Sequence, residues 1–377
     1  MIRIFKSAVN LREKLAELER PIGINGAALM ATDTPQQAFG LLGVGNRNLI
    51  INGGMVFNQR GIVGGSNNVG TSRAAGFGLD RWTVWRVNDG ANGAVIQEQS
   101  TDVPSGQYFK NSLKLTINGS GNPTANTSVR LLLHQMIEGN NMYQLQYGTS
   151  SARFFTFSFW VKCSVAGLYA VTFTNNNSDR GYVATYSINS ASTWEYKTIT
   201  VPGDTTGTWT TDNTAGLTIN FDLGTNGPTT STYNTWLSGD YRGGATTMKL
   251  NDKNGATYFI TGVQLEEGKV ATPFEYRSYG QELALCQRYY EVGNQSCWSG
   301  MTTTNVTYAR VLVDYKVEKR AVPGTITATT VDYGGGFNNS NPSTASSSIR
   351  GFQWYKLATS GSNDSWNFVA WTASAEL

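Results

Sequence analysis

The chain has 377 residues, of which 40% are hydrophobic and only 15% charged, and its formal net charge is +3. So slight a positive balance, with no Lys/Arg cluster, excludes a protein built to neutralise nucleic-acid phosphates. Three cysteines (Cys163, Cys286, Cys297) and a single histidine exclude a zinc set and argue against a disulfide framework, since the number is odd and the spacing is not that of metal ligands.

The length suits two or three domains, each with a core of its own. The 42 glycines, set among abundant Thr, Ser and Asn, fit many short strands joined by Gly/Asn turns. Arg3 and Lys6 interrupt the apolar run that a signal peptide needs, and no later segment approaches a membrane-spanning length. The expectation is a protein made in the cytosol, outside the ordinary secretion route and without membrane insertion.

Ile4, Ala8, Leu11, Leu15, Leu18 and Ile22 follow alternating steps of four and three, the seam of a short coiled coil, with Arg12, Glu13, Lys14, Glu17 and Glu19 on the other faces. Under three heptads is marginal for an isolated coiled coil. The seam therefore predicts an oligomerising helix over residues 1–23, supported by a larger assembly and ended by Pro21 and Gly23. The competing reading is an amphipathic helix lying against its own domain or another protein. Residues 24–47 are small, irregular and too apolar for a freely solvated linker, so they read as a packed connector.

Strand signals begin at Asn48. Trp82, Val84 and Arg86 alternate with Thr83, Trp85 and Val87, and Leu113, Leu115 and Ile117 alternate with Lys114 and Thr116. The strongest stretch is Arg153–Val165. There Phe155, Phe157, Phe159, Val161, Cys163 and Val165 recur at every second position, with Thr156, Ser158, Lys162 and Ser164 between them. Trp160 interrupts that polar set, so its side is expected to be partly covered. Further strands are read at Tyr169/Val171/Phe173, Ile199/Val201, Leu217–Leu223, Tyr258–Ile260 and Val263/Leu265, with Gly262 as a bulge. Residues 280–291 form the best helical patch after the N-terminus and are read as a domain joint. Strands resume at Ala309–Val317, Gly324–Thr330, Gly351–Leu357 and Trp366–Trp371, with a long polar loop over residues 333–347. The fold class expected is all-β: a jelly-roll β-sandwich over residues 48–278, then a smaller β-sandwich over 279–377, preceded by the short helix.

Three segments resemble one group of proteins. Asn48-Leu-Ile-Ile-Asn-Gly-Gly-Met-Val-Phe-Asn-Gln-Arg-Gly61 with Leu79-Asp-Arg-Trp82 is similar to the opening of a carbohydrate-binding-type jelly roll of bacteriophage tail fibres and tail structural proteins. Tyr258-Phe-Ile-Thr-Gly-Val-Gln-Leu-Glu-Glu-Gly268, Thr272-Pro-Phe-Glu-Tyr276 and Leu285-Cys-Gln-Arg-Tyr-Tyr290 resemble the closing strand and exit of that domain. Trp366–Leu377 resembles the C-terminal strand of the same proteins. The resemblance implies a virion tail protein, a homotrimer, held to other phage tail proteins through residues 1–47 and carrying its β domains outward, the C-terminal one distal.

Enzymatic chemistry finds little support. His134 lies on a strand-like run and reads as a histidine with a hydrogen-bonded ring. Glu266 and Glu267 are neighbours on a strand, so they point to opposite faces and cannot flank one glycosidic bond. Asp80, Glu98, Asp102 and Asp222 are left as carboxylates that only folding could bring together. Asp252–Gly255 is too short for a calcium loop and reads as a hairpin turn. No cofactor is expected, although a structural calcium ion held by loop carbonyls stays open. Sugar binding needs flat rings and amides in polar loops. That points to Trp209, Tyr233, Trp236 and Tyr241 in the first β domain and to Trp298, Tyr333 and Phe337 in the second. The function expected is attachment of a non-enzymatic tail fibre to a host cell-surface polysaccharide. The alternatives are a structural tail or head-decoration spacer and a glycan-cleaving tailspike.

Overall fold

A computed structural model describes residues 47–62, 67–69, 74–87, 94–119, 129–299, 308–335, 337–357 and 365–377. The seam Ile4 to Ile22 and all but the last residue of the connector 24–47 lie outside the described residues.

The chain is all-β, and its first part is a two-sheet sandwich. One sheet has six strands in the order β1 (Asn67–Val69), β4 (Ala94–Ser100), β5 (Ser112–Asn118), β15 (Thr257–Glu267), β7 (Phe155–Cys163) and β10 (Glu195–Val201). The other has seven: β13 (Trp236–Ser238), β9 (Arg180–Ile188), β8 (Gly167–Asn175), β11 (Ala215–Asp222), β6 (Arg130–Glu138), β3 (Thr83–Val87) and β2 (Ala74–Phe77). The two-residue periodicity of β7 is realised in full: Phe155, Phe157, Phe159, Val161 and Cys163 are all sealed in the core between the sheets. Phe157 meets Phe173 and Phe221 of the opposite sheet at 5.5 and 5.7 Å, and Phe159 meets Phe221 at 5.0 Å. Each such ring removed from water contributes about 1.5–3 kcal/mol. Trp160, on the outer side, is half-buried against Tyr196 at 5.3 Å.

Gly262 is the bulge that its position suggested. The pairing of β15 with β7 slips between Thr261 and Gln264, and Gly262 has φ +60°. One extra residue reverses the alternation, so Tyr258 and Ile260 face the core before it and Val263 and Leu265 after it. Beyond the bulge β5 no longer flanks β15. Residues 48–53 take its place through Leu49 N–H to Leu265 O (2.8 Å) and Val263 N–H to Gly53 O (3.0 Å).

Residues 224–247 run from the end of β11 around the seven-stranded sheet, giving its edge strand β13 as well as the short pair β12 (Thr229–Thr230) and β14 (Gly243–Gly244), which lies over the outer side of β11. Asp222 ties this segment down, accepting from Gly224 N, Thr225 N, Gly244 N and the Thr247 hydroxyl at 2.8–3.2 Å. The Asp252–Gly255 turn follows a 3-10 turn (Leu250–Asp252) and feeds β15, which pairs with β5 and β7 instead of closing a hairpin with β14.

The helical patch is shorter than its sequence pattern. Helix α1 covers Tyr279–Gln287, capped reciprocally by Ser278 and Gln281, and Tyr290 already belongs to β16 (Tyr290–Ser299). β16 and β9 are two strands that the sequence reading did not identify. The second part has two three-stranded sheets: in one, β21 (Ser365–Ser374) lies between β16 and β18 (Thr325–Gly334); in the other, β20 (Gly351–Leu357) lies between β17 (Tyr308–Asp314) and β19 (Ser343–Ser347). β19 falls inside the stretch expected to be one long loop. Val313, Phe352, Trp354, Val369 and Trp371 form the core of this smaller sandwich.

Candidate functional site

A groove lined by six aromatic residues lies on the outer side of the six-stranded sheet, at the Gly262 bulge. With no side chain at 262, the ring of Phe109, brought in by the loop before β5, rests on the strand itself: its Cζ lies 2.5 Å from where a Cβ would stand. Phe109 in turn packs against Phe274 at 5.1 Å and Tyr276 at 5.8 Å, and Phe274 stands edge-on to Tyr276 at 5.0 Å. The segment carrying these two rings folds back over the end of β15, where Glu275 N–H donates to the Gln264 side chain (2.8 Å) and Thr272 N–H to Glu266 (2.8 Å). Tyr279, at the start of α1, closes the groove against Phe57 at 4.8 Å.

The result is a groove of about 190 Å³ between buried phenylalanines below and tyrosines above. Tyr108 is 89% exposed, Tyr279 68% and Tyr276 57%. Three largely solvated tyrosines around one apolar floor are unusual, because folding normally covers such rings. The volume is below the roughly 300 Å³ at which pockets begin to engulf a small molecule. Contact with a ligand here is by stacking along an open surface.

The charged groups of the groove are mostly turned inward. Glu275 accepts from the backbone N–H of Arg47 (3.2 Å) and Asn48 (2.9 Å), and Glu282 accepts from Asn52 N–H. Arg277 bridges the two carboxylates at 3.4 and 3.0 Å and donates to the carbonyls of Ile50 (3.0 Å) and Asn48. These carboxylates are structural acceptors. Neither is poised as an acid or base across the groove. Among the described residues, no group of three or more His, Cys, Asp or Glu side chains could hold a metal ion.

The residues singled out from sequence end in several places. Trp209 and Trp236 meet at 5.4 Å and both pack edge-on to Tyr147, at 4.8 and 5.8 Å. Trp236 also faces Tyr182 of the core at 5.2 Å, so it is a half-buried lid on the sandwich end. Tyr233 and Tyr241 belong to the segment that runs around the seven-stranded sheet. Tyr233 OH shares a hydrogen bond with Thr246 Oγ1 (3.0 Å), and Tyr241 backs onto Gly181 and Gly239. Tyr333 is 42% exposed at the end of β18. Phe337 is buried and offers no face to a ligand, because the turn after β18 folds it inward beside the Lys356 ammonium. The Trp298 side chain lies outside the described residues. The structure brings none of the other six into the groove.

Tyr108, Tyr276 and Tyr279 were missed. Their signal was present: Tyr108-Phe109 follows Gly106 in a polar loop, and Tyr276 ends the Thr272–Tyr276 segment already noted for its resemblance. Other expectations resolve individually. His134 is buried, and its Nδ1 has no hydrogen-bond partner. Asp80, Glu98, Asp102 and Asp222 each have a separate partner set: Gln59 with Arg60, Lys114, Lys162 with Trp194, and the segment after β11. Glu266 and Glu267 diverge to Thr272 and Arg153.

Neither a protein-family model nor a curated protein matches the sequence. Several solved structures are similar to the chain in fold. The enzymatically active domain of tailspike protein 4 of bacteriophage CBA120 matches 58% of this chain and 21% of its own, at 15% identity and a TM-score of 0.30. A family 4 carbohydrate-binding module matches 57% and 97%, at 17% identity and a TM-score of 0.29. The family 11 carbohydrate-binding module of the cellulase Lic26A-Cel5E of Clostridium thermocellum matches 56% and 98%, at 14% identity and a TM-score of 0.26. The chain thus spans about a fifth of the tailspike domain. Likenesses of this size carry no argument about what the chain binds.

Proposed function

We propose that the chain is a non-enzymatic virion tail fibre protein that holds a host cell-surface glycan in the tyrosine groove. The observation that carries the reading is the convergence of Tyr108, Tyr276 and Tyr279 on one floor fixed by Phe109 over Gly262. Aromatic faces stack on the C–H surfaces of sugar rings, and phenolic hydroxyls at their rims meet sugar hydroxyls. The inward pairing of Glu275, Glu282 and Arg277 leaves no poised carboxyl pair, which is why binding and not cleavage is proposed. In this reading residues 1–47 hold the chain to other tail proteins as a homotrimer, and three shallow sites on one fibre gain avidity without new contacts.

The test is a binding panel of bacterial surface polysaccharides against the full chain and the Tyr108→Ala/Tyr276→Ala double variant. Binding by the parent and its loss in the double variant support an adhesin. Silence from the whole panel supports a spacer, and release of reducing ends would replace binding with cleavage. A mass measurement that finds a monomer at micromolar concentration removes the trimer.

A further inference from the structure

A second cleft lies at one end of the sandwich, clear of the tyrosine groove, where the 3-10 turns Gly139–Asn141 and Tyr143–Leu145 meet the loop between β10 and β11. Its volume is about 300 Å³, and its walls are Tyr143, Tyr147 and Trp209, with Gln146 and Thr149 at the rim.

The indole of Trp209 is fixed before any ligand arrives. Its Nε1–H donates to Thr206 O (3.1 Å), and its ring stands edge-on to Tyr147 at 4.8 Å and to Trp236 at 5.4 Å. Gly148, at φ +80°, lets the backbone pass close to this ring: a Cβ there would lie 3.3 Å from Trp209 Cδ1. Tyr143 is 67% exposed, and Gln146, held in the left-handed region at φ 53°, keeps its side chain in solvent. No Asp, Glu, Lys, Arg or His lines the cleft. An ionic ligand would lose hydration there and find no counter-charge. A neutral polyhydroxyl ring would meet aromatic faces, an amide and hydroxyls.

We infer that this cleft is a second sugar site, selective for uncharged hexose or pentose units, formed by Tyr143 and Trp209. It extends the glycan-binding reading but depends on none of the residues of the tyrosine groove.

The experiment is calorimetric titration of the full chain with cellohexaose, maltohexaose, xylohexaose and mannohexaose, and with polygalacturonate as the anionic comparison. Each is run on the parent, on Tyr143→Ala, on Trp209→Ala, on Tyr108→Ala/Tyr276→Ala and on that double variant with Tyr143→Ala added. The groove double variant is expected to keep binding at least one neutral hexaose, and adding Tyr143→Ala to it should weaken that binding roughly tenfold or more. Tyr143 is solvent-exposed, so its variant separates loss of binding from loss of folding, which Trp209→Ala alone would not. The inference is overturned if Tyr143→Ala leaves affinity unchanged. It is equally overturned if polygalacturonate competes as well as the neutral oligomers, or if no neutral hexaose binds the groove double variant at millimolar concentration. Should the double variant behave like the parent while Tyr143→Ala abolishes binding, the groove reading fails and this one stands.

Discussion

Phe109 occupies, ring first, the space that a side chain on residue 262 would need, its Cζ 2.5 Å from the position of a Cβ. The bulge and the tyrosine groove are therefore one feature: the extra residue that reverses the β15 alternation also makes the seat on which Phe109, Phe274 and Tyr276 stack.

Gly262→Ala adds a methyl where φ is +60° and pushes the Phe109 ring off its seat. Positive φ and overpacking together are expected to cost roughly 2–4 kcal/mol. Chemical denaturation would measure that loss. The same variant should weaken glycan binding in the groove, while Gly255→Ala, at a positive φ but with open space around it, should leave binding intact.

Acid should loosen the joint between the two parts. Glu138 accepts two bonds from the Arg288 guanidinium (2.6 and 3.0 Å) and one from Tyr289 OH (2.8 Å). Burial by itself pushes this carboxyl up, but the bonds from Arg288, Tyr289 and Asn140 together outweigh it and hold it below the usual range. A carboxyl depressed in the folded state stabilises fully above its unfolded value, about 4.3, and loses that contribution as pH falls through the folded value. Glu138→Gln is expected to cost about 1–3 kcal/mol at pH 7, since Arg288 is partly solvated, and to remove the dependence below about pH 4. Thermal unfolding across that range checks both.

His134 works in a higher window. Burial first, then the positive charges of Arg242 and Arg81, push its imidazole down to about 3, so the folded protein keeps it neutral. Between the ordinary value near 6.5 and 3, the unfolded chain takes up a proton that the folded chain refuses, and stability falls as pH falls. The gap corresponds to roughly 5 kcal/mol in all. His134→Leu also removes the unpartnered Nδ1, and should flatten the loss between pH 7 and pH 5, where Glu138 does not yet titrate. Denaturant midpoints at the two pH values decide it: an unchanged slope in the variant would assign the loss to other groups.

The fold was readable where the signal is local. β7 could be found because every second residue is large and apolar, and Gly262 because a lone glycine inside a strand marks a bulge. β16 was hidden because Tyr290-Glu-Val-Gly-Asn-Gln-Ser has no apolar alternation; it is a strand through its pairing with β21. The groove was hidden for a related reason. Its tyrosines sit at 108, 276 and 279, and no local pattern joins the first to the other two. Only the closure of β15 against β5 and β7 brings them to one place. Trp209 and Trp236 drew notice as aromatics in polar loops, but such a ring can as well be a lid on the core, which is what Trp236 is.

An ion pair sealed from solvent lies within the second part and ties it to the end of α1. Lys319 and Glu291 are both fully buried, and the Lys319 ammonium also donates to Val317 O at 3.1 Å and to the Gln287 carbonyl at the end of α1. Burial pulls the Lys319 amine down from its ordinary range, against the pull of Glu291 upward, so the pair is costly to form and costlier to halve. Lys319→Ala leaves Glu291 charged, buried and without its cation, for a loss of about 3–5 kcal/mol. Lys319→Met with Glu291→Gln replaces the pair by groups of similar volume and should recover most of that loss. The contrast belongs to the joint alone, since neither residue lines the groove. Limited proteolysis should therefore cut the single variant near residues 288–291, while polysaccharide binding by the Tyr108–Tyr276 groove stays at the parent level. Binding lost together with Lys319 would mean that the groove depends on the second part of the chain.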